Sequence, residues 1–546
     1  MKKRKLISLV SACSVLTTTV PFFATSCKKN KEDVVAMSTV TSTIPEVIMV
    51  NKYPEDQENV IFTSKFLNSA QVSVSSSTRW DYSVAFVDGD EAQKSTVTIG
   101  FTEGENKLNM SVGFTNKTEQ IDLNSVLVYK VNVKAYPTIA TIAESSVGTK
   151  ELFIHVVPYN KNFIFINGKQ EELKENVDIN DFCWSQKTTP SGKVVPNAIT
   201  VQYNDKELDN IEYKDRAKIT GLSIQTCSVE NSVIAQWFLS DCEYLNFVNI
   251  YGLLHTPITE IGDNFLSGCC NLLSVDLSPL DNVLKVGKNF LRACSKLELI
   301  EMMLFNDVQN FSLTDIGNNF LLDCGSIKAL DFRYFKDIKT IGESFLRGCK
   351  NLVSLNLVGF EGVTIIPDSF LADCWSLSML SGLDSFKNVE DNGSWFLGDC
   401  TSLTAVDLSE FEKLTIIENY FLSDCTNIIT LIMPRTLFYI GDYFLNDCVR
   451  LEYIDLSKVC EAHGFLRIGT NFLNNCVYLN NLRLPIIPNP GEELQKDMVY
   501  LSGWGMNVAY FLDPDEQYIH CGNEEMLLKY KYQWENWLKK QNNMTI

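Results

Sequence analysis

Basic residues are the minority in this chain: 47 Lys and Arg stand against 67 Asp and Glu, a formal charge of -20 over 546 residues. A binder of nucleic-acid phosphates needs a basic field, so no nucleic-acid partner is expected. Histidine is scarce, and His155, His255, His463 and His520 are far apart. Also missing are H-E-x-x-H, a nucleophile elbow, a phosphate-binding Gly loop, a full EF-hand loop and Cys pairs of the C-x2-C kind. With them go the usual sequence signs of metal, nucleotide and triad chemistry. Sixty-seven carboxylates leave room for acid-base chemistry, but nothing selects a pair. No catalytic residue, metal or cofactor is therefore expected, and the chain reads as a non-enzyme. At 45% hydrophobic and 21% charged residues it is foldable rather than disordered.

Long apolar runs are missing too, with one exception. Lys2, Lys3, Arg4 and Lys5 precede an uncharged stretch from Leu6 to Ala24, the layout of a secretory signal. The stretch ends Phe22-Phe23-Ala24-Thr25-Ser26-Cys27 and gives way to Lys28-Lys29-Asn30-Lys31-Glu32-Asp33. Small residues before a cysteine resemble the lipobox of bacterial lipoproteins, in a relaxed form with Ala24 where leucine is usual, similar to surface lipoproteins of wall-less bacteria. The resemblance implies cleavage before Cys27 and a diacylglycerol on its thiol. An ordinary secretory signal and an uncleaved anchor are the alternatives. Two acyl chains give stable anchoring where one does not, since each buried methylene contributes only about 0.8 kcal/mol. The expected location is the extracellular face of the cell membrane, with residues 28–37 as a tether.

From Val34 to about Tyr203, short runs of Val, Ile, Thr and Ser alternate and are broken by turn residues. Tyr82 to Val87 runs into Asp88-Gly89, and Ser95 to Phe101 precedes Gly104, both in the manner of hairpins. This stretch is expected to form one or two antiparallel sandwiches, serving as a spacer or as a second binding region. Asp88-Gly89-Asp90 reads as a turn before it reads as a calcium site.

The string Phe-Leu-x-x-Cys then occurs ten times, beginning at Phe238, Phe265, Phe290, Phe320, Phe345, Phe370, Phe396, Phe421, Phe444 and Phe472. First and last lie 234 residues apart over nine steps, a mean period of 26. Apolar residues follow each cysteine at three, six and usually eight positions, as in Leu352, Leu355 and Leu357. An Ile-Gly pair often precedes the Phe, as at Ile341-Gly342, while Ala235, Pro367 and Glu418 replace the Gly in three repeats. The last two apolar positions alternate as in a strand. Phe, Cys and the first Leu lie at i, i+4 and i+7, the spacing of one helical face, so each unit is expected to be a strand, a turn and a short helix.

These residues resemble the leucine-rich repeats of the BspA-like family, I-G-x-x-F-L-x-x-C-x-x-L-x-x-L-x-L, over about residues 222 to 485. The resemblance implies an α/β leucine-rich-repeat solenoid with a parallel sheet and short convex helices, following a β-rich N-terminal sandwich region. Ten strands at about 4.8 Å make a sheet near 45 Å long. The expected organisation is signal 1–26, lipidated Cys27 and tether 27–37, β-rich region 38–203, N-terminal cap 204–236, solenoid 237–485 and C-terminal cap 486–546. A terminal helix from Met526 to Leu538 is expected in the last segment.

Ten cysteines occupy one repeat position and are expected to be reduced and buried, each a small hydrophobe. Six repeats place Asp just before that cysteine, at Asp241, Asp323, Asp373, Asp399, Asp424 and Asp447. They read as a solvated edge, with a cation-linked stripe as the alternative. Recognition is expected at the variable positions flanking the strand leucines: Thr404, Ala405, Asp407, Glu452, Tyr453 and Asp455. Proteins of the resembled family are associated with attachment to host or neighbouring cells. The resulting expectation is a lipid-anchored surface protein binding a macromolecular partner, protein or glycan, in adhesion or host interaction. A shielding surface antigen without a fixed ligand, and an extracytoplasmic substrate-capture lipoprotein or enzyme, are the alternatives.

Overall fold

The computed structural model describes residues 38–42, 47–52, 62–70, 78–104, 107–114, 125–137, 148–158, 161–175, 177–202, 209–228, 232–254, 256–301, 313–333, 335, 338–456, 459, 467–469, 471–479 and 481–483. Cys27, the tether and the expected helix from Met526 to Leu538 lie outside them. The chain divides into two units, the first essentially residues 1–163.

The first unit is a two-sheet β-sandwich. Its strands are β1 (Ser38–Ser42), β2 (Val47–Lys52), β3 (Phe62–Ala70), β4 (Thr78–Asp88), β5 (Val97–Gly104), β6 (Lys107–Phe114), β7 (Leu127–Pro137) and β8 (Gly148–Pro158). One sheet has the order β1-β3-β6-β5 and the other β2-β8-β7-β4. Alternate residues of both sheets meet in one core, with Leu108, Met110 and Val112 from the first and Val131, Val133, Leu152, Ile154 and Val156 from the second. Tyr129 closes the core by donating its hydroxyl to the Lys94 carbonyl at 2.7 Å, and burial pushes its pKa up to about 12.

One hairpin expected here is not formed. Asp88-Gly89 does turn the chain, with Gly89 at φ 115° and a virtual Cβ only 2.5 Å from the Val126 carbonyl. Yet β4 pairs with β7 and β5 with β6, so the turn carries the chain from one sheet to the other. Gly104 does end a true hairpin strand, β5 pairing antiparallel with β6.

The second unit is a parallel-sheet solenoid. Each coil contributes two short strands, one at the Ile-Gly position, as in Asp315–Ile316 and Thr340–Ile341, and one at the Leu-x-Leu position, as in Ser354–Asn356 and Met379–Ser381. Successive strands pair parallel and in register, Leu355 beside Leu380 and Ile316 beside Ile341. Inside, the ten repeat phenylalanines form one stack with neighbouring centroids 4.9 to 5.8 Å apart and interplanar angles of 5 to 15°. A large apolar side chain so buried contributes roughly 1.5 to 3 kcal/mol, and the same positions repeat in every coil.

The expected short convex helices are absent among the described residues, whose only helices are brief 3-10 turns. The reason is backbone handedness. In every repeat the residue before Phe, the Leu after it and the residue before Cys all have positive φ, as in Ser369, Leu371 and Asp373 at 58, 59 and 60°. A helix needs consecutive right-handed residues. Here alternate peptides instead turn toward the coil above or below: Leu266 N–H donates to Phe238 O at 2.9 Å, while Asn264 and Gly268 donate to Lys288 and Arg292 carbonyls at 2.7 Å. The turn is flat, and its polar backbone groups find partners between coils rather than along an axis. It persists at Pro367 and Glu418. Where Gly is kept the coils touch, since a Cβ on Gly342 would lie 2.2 Å from Asn318 N.

Phe182 and Trp184, upstream of the residues expected for the cap, cover the first coil. Phe182 meets Phe238 edge-on, and Trp184 donates its indole N–H to the Ser240 carbonyl at 3.0 Å. Among the described residues no helix is long and apolar enough to cross a membrane.

Candidate binding faces of the solenoid

Inward positions are taken by packing, so whatever the solenoid recognises meets the stripes left outside. The thiols illustrate the first half of that statement. All ten repeat cysteines are buried, and those described are free thiols. Nine also donate S–H to the carbonyl of the repeat Leu one coil earlier, at 3.0 to 3.3 Å. Burial pushes the pKa of eight of these up, from Cys269 to Cys448, that of Cys374 to about 12, so the proton stays on sulfur. They are donors as well as space-fillers, a role the sequence reading missed.

The acidic stripe has a backbone cause. Nine of the ten residues preceding the cysteines are Asp, Asn or Gly, the types that best tolerate the left-handed conformation found there. Burial raises the pKa of Asp399, and the carboxylates of Asp424 and Asp373 raise it further. In the first coil Asp241 instead accepts the hydroxyl of Tyr213, whose ring lies 4.5 Å from the Arg216 guanidinium. Among the described residues no group of three or more His, Cys, Asp or Glu is arranged to hold a metal.

The expected recognition residues lie in or just before the Leu-x-Leu strands Ala405–Asp407 and Tyr453–Asp455. Thr404, Ala405, Asp407 and Glu452 are exposed, and Tyr453 and Asp455 are half-buried. Between the two sets runs the strand Thr430–Ile432, pairing Ala405 with Thr430 and Asp407 with Ile432. Tyr453 donates its hydroxyl to Asp455 Oδ2 at 2.9 Å, so these two share a face and touch. Asp407 has a local task as well, its Oδ1 accepting Ser409 N–H at 2.9 Å. Asp276 and Asp331 cap the turn after their strands in the same way.

A third stripe escaped the sequence reading. The residue before the repeat Phe is Asn in coils 264, 289 and 319, Ser at 344 and 369, then Trp395, Tyr420 and Tyr443. The three aromatics stack on the outside with centroids 4.4 and 4.6 Å apart, nearly parallel and only half-buried. All three have positive φ, where a bulky residue is an outlier that costs on the order of 1 to 3 kcal/mol. The signal was legible as Trp-Phe-Leu, Tyr-Phe-Leu and Tyr-Phe-Leu in consecutive repeats.

Among curated proteins no sequence match is found. Among solved structures, similarity extends to a leucine-rich repeat protein from Bacteroides ovatus at 17% identity, covering 56% of this chain and 88% of the other with a TM-score of 0.32. The leucine-rich repeat protein of T. pallidum matches at 15% identity, covering 60% and 96%, with a TM-score of 0.26. One from Eubacterium ventriosum matches at 16%, covering 54% and 95%, with a TM-score of 0.18. The BspA type leucine rich repeat region family matches in six copies over residues 206–311, 259–393 and 387–489. With more than half its length so matched, and with that repeat folded as a parallel-sheet solenoid, the chain belongs to the BspA type leucine-rich repeat family.

Proposed function

We propose that this chain is a lipid-anchored protein of the extracellular membrane face, whose solenoid binds a protein or glycan partner in adhesion or host interaction. A leucine-rich repeat solenoid is in general a non-catalytic binding scaffold, varying its outer positions over a fixed core. The observation that carries the reading is the division of each repeat: Phe, Leu and Cys are buried, while Thr404, Asp407 and Glu452, in or just before the Leu-x-Leu strands, stand exposed and Tyr453 and Asp455 form a half-buried pair. The anchor rests on the charged start, the apolar stretch and the small residues before Cys27.

Two measurements test it. Fatty-acid labelling should mark the full chain and spare Cys27→Ala; equal labelling of both ends the anchor reading. Residues 28–546 should bind at least one member of a panel of matrix proteins and surface glycans. That binding should weaken in a variant combining Thr404→Ala, Asp407→Asn, Glu452→Gln and Tyr453→Ala. Asp407→Asn keeps the acceptor that caps the turn while removing the charge. No binding across the panel would refute the scaffold reading.

A further inference from the structure

The outer stripe before the repeat Phe is interrupted. On one side runs an amide ladder, Asn289 Nδ2 donating to Asn264 Oδ1 at 2.9 Å and Asn319 Nδ2 to Asn289 Oδ1 at 2.8 Å. On the other stands the Trp395, Tyr420, Tyr443 stack. Ser344 and Ser369 occupy the two coils between. Their backbones match that of Trp395, with φ of 59 and 58° against 64° and the same N–H bond to the next coil, to Asp368, Ser394 and Asn419 carbonyls respectively. The side chains are therefore in register with the indole, but each offers one hydroxyl where the stripe elsewhere carries an amide or a ring. One ring of the stack is missing beside Trp395, and its outer face ends at the recess.

We propose that this two-coil recess is a carbohydrate site, seating a pyranose of a neutral glycan against the outer face of the Trp395 indole. The assignment rests on the solenoid being a binding scaffold and names one of its ligand classes. A ring at the level of Ser369 lies one coil from the indole, about 4.8 Å, within the range of stacked rings and close to the 4.4 and 4.6 Å already used in the stack. The axial C–H face of a pyranose meets the electron-rich indole face, as the positive edge of an aromatic ring does. Its hydroxyls meet a polar rim. Arg347 and Asp373, the former two residues after the coil's Phe and the latter three after the next, are joined at 2.9 Å across these same two coils, with side chains 46% and 30% exposed. Asp368 is exposed on the flank before the stripe and accepts Ser394 N–H at 2.7 Å. Gly398, two residues after Phe396, lies directly under the indole edge: a Cβ there would be 2.7 Å from Trp395 Cε3. By equivalence, Arg347 stands beside the place of Ser344.

The ligand class follows from charge and polarity. Carboxylates on both flanks and a formal charge of -20 disfavour acidic glycans. Arg347 at the rim disfavours a cation. An aromatic peptide side chain would find one apolar wall and a floor of hydroxyls, which burial leaves unsatisfied, whereas a sugar uses both.

Saturation-transfer NMR and calorimetry on the full chain, with neutral trisaccharides of glucose, galactose, mannose and N-acetylglucosamine, test the site. At least one should bind, and its affinity should fall at least tenfold in Trp395→Ala. Ser369→Tyr, which supplies the missing ring from the chain itself as Tyr420 and Tyr443 do in coils that carry a side chain two residues after Phe, should fall equally. Trp395→Ala should keep the melting temperature within about 3 °C, and the ring added at Ser369 should lower it by no more than about 10 °C and leave the protein folded. Tyr244→Ala, removing an exposed aromatic in the first coil, should leave trisaccharide binding unchanged. Absence of binding by all four sugars, or undiminished binding in both variants, overturns the site. A Trp-bearing tripeptide that binds in place of the sugars, with the same dependence on Trp395 and Ser369, also overturns it. Trisaccharide failure alongside retained partner binding on the matrix panel removes this site and leaves the scaffold role standing.

Discussion

The Cys349 thiol donates its S–H to the carbonyl of Leu321 one coil earlier, at 3.3 Å. Leu321 is left-handed, with φ of 55°, and its carbonyl also accepts the Cys324 N–H of its own turn at 3.2 Å. The sulfur thus adds a second bond to a carbonyl presented by the flat turn, and fills the space beneath it.

Cys349→Ala should therefore cost about 1 to 2 kcal/mol, for a lost hydrogen bond and a small cavity, read as a lower denaturation midpoint at unchanged slope. In native protein the repeat thiols should resist alkylation, because burial removes access and raises their pKa. Among the described cysteines Cys183, Cys227 and Cys270, which are only half-buried, should react before the repeat thiols. Repeat cysteines labelled as fast as Cys270 would show that the coils open readily.

Asn392 occupies the core position held by Ile366 and Ile417 in the neighbouring coils. It is 2% exposed, and its Oδ1 has no hydrogen-bond partner, while Nδ2 reaches the Gly393 carbonyl at 3.2 Å. A buried unsatisfied acceptor costs about 1 to 3 kcal/mol. Asn392→Ile should stabilise the solenoid by a similar amount and raise its melting temperature, and a lowered one would mean that the amide is satisfied in solution.

The sandwich should be sensitive to acid. His155 in β8 is buried, and desolvation lowers its pKa from 6.5 to about 4. Between those values the unfolded chain holds a proton that the folded chain does not, so stability rises with pH across that window. The loss on going from pH 7 to pH 4 is at most about 3 kcal/mol. His155→Leu should flatten the dependence between pH 4 and 6.5, and an unchanged slope would place the titrating group elsewhere.

The period, the register and the inward set were legible because Phe-Leu-x-x-Cys repeats ten times. The turn was not, since Phe, Cys and Leu at i, i+4 and i+7 point inward from a helix and from a flat turn alike. What separates the two is the handedness of residues such as Leu346, at φ 57°, and leucine carries no sequence mark of that conformation. Asp, Asn and Gly before the cysteine did carry one, but they read equally well as a solvated acidic edge. Asp88-Gly89 announced a turn without naming the strand that β4 would join, a choice made by burial between sheets. The Trp395 stack is built from the residue before each repeat Phe, away from the positions flanking the strand leucines where variation was expected.

Asp399 offers the sharpest test of that backbone reading. Its φ is 59°, and burial raises its pKa, followed by Asp424 and Asp373, with Arg347 opposing. A carboxyl whose folded pKa lies above its unfolded one binds more protons when folded, so it destabilises the native state once pH exceeds the unfolded value near 3.9. Asp399→Asn keeps a residue type that accepts left-handed backbone, as Asn475 does in the last coil at φ 57°, and removes the repulsion. It should stabilise the protein at pH 7 by less than about 1 kcal/mol, the site being only partly shielded from solvent. Its advantage should vanish as pH falls toward 4. Asp399→Val removes the same charge but forces a β-branched residue into positive φ, so it should destabilise by about 1 to 3 kcal/mol at every pH. Equal stabilisation by Asn and Val would mean that electrostatics, and not backbone handedness, sets the residue before each repeat cysteine.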